Sequence, residues 1–372
     1  MILERWENRA GKMGQTTFCA RKHGLTLSRR ETLMSDIRGR DFLKLADFET
    51  AEIDDILKLA FEMKREQRHW SLKGKTIIML FFNSSLRTRT SFEIGAAQLD
   101  AQPVVLNVGQ DAWNLEWQEG VIMNGNSPEH IKDAAKVLSR YGDILAVRSF
   151  PRMQSYEQDR QDPILSAFSK YAAAPLINLE SAVEHPCQGL ADLMTLREIF
   201  NQNTRGKKVV LTWAPHVKPL PLAVPHSFLL AAAMGGCDIT VAHPRKFELE
   251  EGVMQQAKSI AAKTGGNVNV SHDQDEAFRG AEVVYAKSWL SLEHYGRMEE
   301  EFAYRATLPN WTVTEEKMAL TSRAKFMHCL PIRRNVVATD GVLDHDDCVV
   351  YQQAENRLHA QKALLVKMLG ES

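Results

Sequence analysis

The segment Phe82-Asn83-Ser84-Ser85-Leu86-Arg87-Thr88-Arg89-Thr90 sets hydroxyl and guanidinium groups where an apolar run, 75–82, gives way to helical spacing. A helix N-terminus has unpaired N–H groups and a partial positive charge, so it favours an anion. Arginine adds a rigid fork matched to phosphate oxygens. Neither GxxxxGK[ST] nor GxGxxG occurs, which excludes nucleotide loops of those two kinds. Three more segments offer polar chemistry. Residues 180–188 read ESAVEHPCQ, with His185-Pro186 ahead of a helical stretch. Residues 326–334 read FMHCLPIRR, a strand running into a Cys-Leu-Pro turn and two arginines. Glu355-Asn356-Arg357 is expected to open the last helix. At strand ends in an α/β chain, these pieces describe one polar cleft.

The elements that must position them alternate. Short apolar runs at 75–82, 104–106, 144–147 and 176–178 read as strands, with helices near 129–140 and 161–171 between them. Ile53, Ile56, Leu57, Ala60 and Phe61 recur at helical spacing behind a cap expected at Thr50. A helix over 188–200 leads into a second series of strands at 209–212, 238–242, 268–270, 283–286 and 326–327, and a last helix covers 354–369. The fold class is α/β, with two doubly wound parallel-sheet domains. Pro215, Pro219, Pro221 and Pro225 crowd the stretch after the first strand of the second series. Proline fixes φ and removes a donor, so this stretch is expected to be an extended, stiff loop.

At 372 residues the chain is long enough for two cores. Hydrophobic residues make up 44%, charged residues 25%, and the formal net charge is -1. No global field draws in nucleic acid or an anionic membrane, and no basic–aromatic module occurs. No apolar run reaches the ~18 residues of a membrane span. The five cysteines are scattered, without metal-ligand spacing, which suits a reduced, cytoplasmic setting and neither metal nor cofactor. Residues 1–38 stand apart, without periodicity, as a disordered extension or a start assigned upstream of Met34.

In this order and spacing, SxRTR, HPxQ, HCLP and ENR resemble the aspartate/ornithine carbamoyltransferase family, from about 40 to 370. The resemblance implies a carbamoyl phosphate domain at 39–183, completed by a returning helix at 352–370, and an acceptor domain at 184–351. It also implies a homotrimer with shared active sites. By position, Ser85, Leu86, Arg87 and Thr88 would hold the phosphate. Arg148, His185, Gln188 and Arg357 would orient and polarise the carbamoyl carbonyl. The Leu330 carbonyl and the Cys329 thiol would meet the attacking amine, and Trp113 would reach a neighbour's site. Ser84 departs from the proline common at its position in the acyl-ornithine branch.

Ornithine enzymes of the family carry an aspartate where Lys287 stands. A lysine there would repel the α-ammonium of free ornithine, yet could donate to an acylated acceptor. The proline-rich loop resembles that of the N-acetyl- and N-succinylornithine branch. This implies a knotted chain and acceptor contacts from Glu180, His216, Lys287 and Arg333. In the acetyl type a glutamate follows the turn equivalent to 124–127, and a carboxylated lysine follows HCLP. Here those positions are Pro128 and Val337. The expected reaction is therefore carbamoyl transfer from carbamoyl phosphate to N-succinyl-L-ornithine, with N-acetyl-L-ornithine as the alternative acceptor. A non-catalytic carbamoyl phosphate sensor is the alternative of another class.

Overall fold

The structure is a computed structural model that describes residues 36–65 and 68–370. The expected extension therefore lies almost wholly outside the described residues. The strands are β1 (Thr76–Phe81), β2 (Gln102–Asn107), β3 (Leu115–Glu116), β4 (Glu129–His130), β5 (Ile144–Arg148), β6 (Leu176–Glu180), β7 (Lys208–Trp213), β8 (Asp238–Ala242), β9 (Asn267–Ser271), β10 (Val283–Lys287) and β11 (Lys325–Met327). One parallel sheet runs β2-β1-β5-β6, and a second runs β11-β10-β7-β8-β9. Helices on both faces bury the central strands, which is why β1 and β5 are nearly continuous apolar runs.

Two details of register matter for the site. Phe81 pairs with Arg148, and Arg148 pairs with Glu180, so three strand ends line up in one row. The β5–β6 ladder slips at Val147/Arg148, where Asn178 and Glu180 are the successive partners and Leu179 is the extra residue. Such a bulge re-aims the side chain that follows it. Here it brings the Glu180 carboxylate onto the Arg148 guanidinium.

The chain then returns. The Val350–Leu369 helix packs against the Pro186–Ile199, Thr50–Arg65 and Arg87–Gln98 helices, so the last element completes the core around the first sheet. It begins at Val350 rather than 354, which puts Glu355-Asn356-Arg357 in its second turn instead of at its start. Thr50 is the first helical residue of its helix rather than a cap. Pro225 also departs from expectation, since it lies in the first turn of the Ala223–Met234 helix. There a missing N–H costs nothing, because first-turn N–H groups have no intrahelical acceptor. The short β3–β4 pair was not legible from periodicity.

Candidate active site

The anion loop forms as the sequence suggests. β1 ends at Phe81, and the Arg87–Gln98 helix starts five residues after Phe82. Ser85 Oγ accepts from the Thr88 N–H at 3.3 Å, satisfying one of the helix's orphan donors. Arg87 is the first helical residue, and burial pulls its pKa below the usual guanidinium value. Leu86 is 72% exposed.

Four further side chains converge behind this loop. Arg148, at the end of β5, is ion-paired with Glu180 at the end of β6. His185 Nε2 lies 3.6 Å from the same carboxylate. Arg357 is 3% exposed and each of its three guanidinium nitrogens donates once, which leaves two N–H groups free for a ligand: Nη1 to Gln188 Oε1 at 2.7 Å, Nη2 to Thr88 Oγ1 at 3.1 Å and Nε to Gln361 Oε1 at 2.8 Å. One arginine thus joins the anion loop, the HPxQ helix and the returning helix. Burial, with the Arg357 and Arg148 charges, holds the His185 imidazole well below its ordinary pKa, so it is neutral. Its Nδ1, like Arg148 Nε, is buried without a hydrogen-bond partner among the described residues.

The HPxQ helix is itself fixed from the other sheet's layer. The His185 N–H donates to Ser227 Oγ at 2.7 Å, on the Ala223–Met234 helix. Next to Gln188, Gly189 permits close approach: a Cβ there would meet Leu45 Cδ1 at 2.3 Å and the Ser227 carbonyl at 3.0 Å.

From the second sheet comes the HCLP turn, just past β11. Leu330 has φ +54, in the left-handed region where a residue with a Cβ is strained by about 1–3 kcal/mol. Its N–H donates to His328 Nδ1 at 2.8 Å, and the Leu330–Pro331 bond is cis. Cys329 is close enough to Lys287, Glu180 and Arg87 for their charges to act on its thiol, which burial nonetheless keeps above its ordinary pKa. The thiol is therefore protonated near neutral pH. Lys287, at the end of β10, is 9% exposed. His216, in the proline-rich loop, accepts at Nε2 from Arg333 Nε at 3.2 Å and lies near Lys287.

Two expected residues stand elsewhere. Trp113 is 62% exposed, and its indole N–H donates to Glu129 Oε2 at 2.6 Å. Pro128 is the exposed residue just before that glutamate, so the two share one outward excursion built on the β3–β4 pair. Sequence reasoning missed Asp192 and Gln353. Asp192 Oδ1 accepts from Gln188 Nε2 at 2.8 Å and from Gln353 Nε2 at 2.7 Å. Their spacing was the available signal: Asp192 is one turn after Gln188, and Gln353 one turn before Arg357. Among the described residues no cluster of His, Cys, Asp or Glu could hold a metal ion, and no helix is long and apolar enough to cross a membrane.

Comparison with known proteins agrees with this arrangement. The family model described as aspartate/ornithine carbamoyltransferase, carbamoyl-P binding domain, matches residues 40–198. The Asp/Orn binding domain model matches 222–368. The chain is 46% identical to the N-acetylornithine carbamoyltransferase of Xanthomonas campestris over 335 residues, covering 90% of this chain and 98% of that one. It is 38% identical to the N-succinylornithine carbamoyltransferase of Bacteroides fragilis over 322 residues, covering 86% and 95%. A crystal structure of acetylornithine transcarbamylase complexed with acetylcitrulline superposes with a TM-score of 0.87 at 46% identity, covering 89% of this chain and all of that one. With the fold and both family models in agreement, the chain belongs to the aspartate/ornithine carbamoyltransferase family and is a carbamoyltransferase.

Proposed function

We propose that this enzyme moves the carbamoyl group of carbamoyl phosphate onto the side-chain amine of N-succinyl-L-ornithine, giving N-succinyl-L-citrulline and phosphate. The donor half rests on the convergence of Arg87, Arg148, His185, Gln188 and Arg357 behind the anion loop. Ser85, Leu86, Arg87 and Thr88 hold the phosphate. Arg148, neutral His185, Gln188 and Arg357 meet the carbonyl oxygen as charge builds on it, which is usually the largest catalytic term. The Leu330 carbonyl and Cys329 orient the amine. Holding both substrates in attack geometry supplies much of the remainder. Residues 39–183 with the returning helix serve the donor, and 184–351 the acceptor.

On the acceptor side, Glu180, His216, Lys287 and Arg333 are the contacts. Lys287, Arg333 and His216 stand close enough for both cations to lower the His216 pKa, after burial, the larger cause. That cluster suits the carboxylates and amide oxygens of an N-acylated ornithine and repels a free α-ammonium. Overall identity is higher to the acetyl enzymes, at 46% against 38%. The succinyl reading rests instead on single positions, Pro128 above all. A glutamate-to-proline mutant of N-acetyl-L-ornithine transcarbamylase was solved with carbamyl phosphate and N-succinyl-L-norvaline. We read Pro128 as the residue of this chain at that place. Val337, 2% exposed, is core packing and cannot supply the charge of a carboxylated lysine.

The test is a citrulline-type assay with carbamoyl phosphate and ornithine, N-acetylornithine or N-succinylornithine. Turnover confined to the acylated acceptors, fastest with the succinyl form, is expected; turnover with free ornithine would overturn the Lys287 argument. The amine has an intrinsic pKa near 10, so the rate should rise with pH. His185 is already neutral across that range, so it does not mask the rise. A flat profile from about pH 6 to 9, with chemistry rate-limiting, would contradict the mechanism.

A homotrimer with shared sites completes the proposal. It is supported by Trp113, a large aromatic side chain that is 62% exposed in its own chain. Light scattering should give three times the 42.1 kDa chain mass. A monomer with full activity would refute the shared site.

A further inference from the structure

Asp192 is fully buried on the Pro186–Ile199 helix, and a single oxygen does two jobs. Oδ1 takes one N–H of the Gln188 amide at 2.8 Å and one of the Gln353 amide at 2.7 Å. The far end of each amide is also committed. Gln188 Oε1 accepts from Arg357 Nη1 at 2.7 Å, and Gln353 Oε1 accepts from the backbone N–H of His328 at 3.0 Å. His328 directly precedes Cys329 and, through Nδ1, holds the Leu330 N–H. An unbroken line of hydrogen bonds therefore runs Arg357–Gln188–Asp192–Gln353–His328–Leu330. It joins the residues that meet the carbamoyl oxygen to the turn that meets the amine.

Each partner alone has freedom to lose. A glutamine amide restrained only at its oxygen still rotates about its last side-chain torsion, which is broad. A second bond at the nitrogen fixes that plane. Asp192 supplies the second bond to two glutamines on two helices. We propose that Asp192 is a positioning residue which, through Oδ1, fixes Gln188 on one side and the Cys329–Leu330 turn on the other, and that turnover depends on this link and not on a negative charge at Asp192. The proposal rests on the roles given above to Gln188 and Leu330.

The surroundings agree that charge is not the point. The Tyr285 hydroxyl, on β10, lies near enough to interact with the same carboxyl, which is fully buried. Burial pushes the Asp192 carboxyl up to about 7, against the opposing pull of its two amide bonds, the Arg357 charge and the Tyr285 hydroxyl.

The test compares four variants with the wild type, under saturating acceptor. Asp192→Asn keeps an oxygen for both amides and removes the charge, so kcat should stay within about tenfold, with an unchanged pH profile. Asp192→Ala removes the link, so kcat should fall about a hundredfold, the cost of a small misplacement of reacting groups. KM for carbamoyl phosphate should move much less, since the anion loop is untouched. Gln353→Leu cuts only the arm to His328 and should fall between. The double variant Asp192→Ala/Gln353→Leu should be no worse than Asp192→Ala, because both break one line. Folded Asp192→Ala with wild-type kcat would overturn the proposal. So would Asp192→Asn as poor as Asp192→Ala, or an alkaline limb near pH 7 that Asp192→Asn removes. Should Asp192→Ala fail to fold, Asp192→Asn against Gln353→Leu still decides, since only the second breaks the line. Absence of turnover in the wild type with any acylated ornithine would instead count against the proposed function.

Discussion

Arg357→Met is expected to lower kcat about 10²–10³-fold, the usual cost of removing one preorganised donor from the developing charge. The same change should leave the melting temperature within a few degrees of wild type. The two effects separate because Arg357 is an expensive residue to fold. It is 3% exposed, burial depresses its pKa, and the Arg148 cation lies near enough to oppose its charge. Replacing a buried charge by an apolar side chain of similar length removes that desolvation penalty. The gain offsets what is lost when Gln188, Thr88 and Gln361 each lose a donor. Steady-state kinetics beside a thermal melt checks both halves. An unfolded variant would make Arg357 structural, and an active one would remove it from the carbonyl's polarising set.

Pro128→Glu carries the second large effect. The ratio of kcat/KM for N-succinyl- over N-acetylornithine should fall roughly tenfold or more. A carboxylate within a few ångströms of the succinyl tail costs on the order of 1–4 kcal/mol between water-like and surface-like dielectrics. The position is exposed and already adjoins Glu129, so added salt should weaken the effect by screening. Acetyl turnover should change little, because its tail has no charge to repel. An unchanged ratio would discredit Pro128 as the discriminating residue and return the acceptor to the acetyl form.

The sequence was informative where residue type and spacing act locally. Ser85, Arg87 and Thr88 form their turn because a strand ends and a helix begins within a few residues, a short-range event. His185 and Gln188 were legible because proline opens the helix that carries them. What was illegible depends on contacts between distant segments. Asp192 reads as an ordinary helical carboxylate until Gln353 arrives from 161 residues away. Arg148 and Glu180 looked like members of separate subsites, and only the slip between β5 and β6 makes them one ion pair. The β3–β4 pair, two residues on each side, is too short for any period to show. The last helix was placed four residues late because Val350 and Tyr351 extend it beyond the apolar stripe read from Ala354 onward.

That last helix also dictates an order of assembly. Arg357 bonds to Thr88 across 269 residues of chain, and the first sheet's helices wait for the same element to cover them. Contacts of such long range are slow to form, since loop closure must precede any return. On the ribosome the first-half residues emerge long before their cover does, and transiently exposed apolar surface is aggregation-prone. Under the role proposed for Arg357, a nascent or prematurely ended copy has the 82–90 loop but not the arginine that bonds to Thr88 from the last helix.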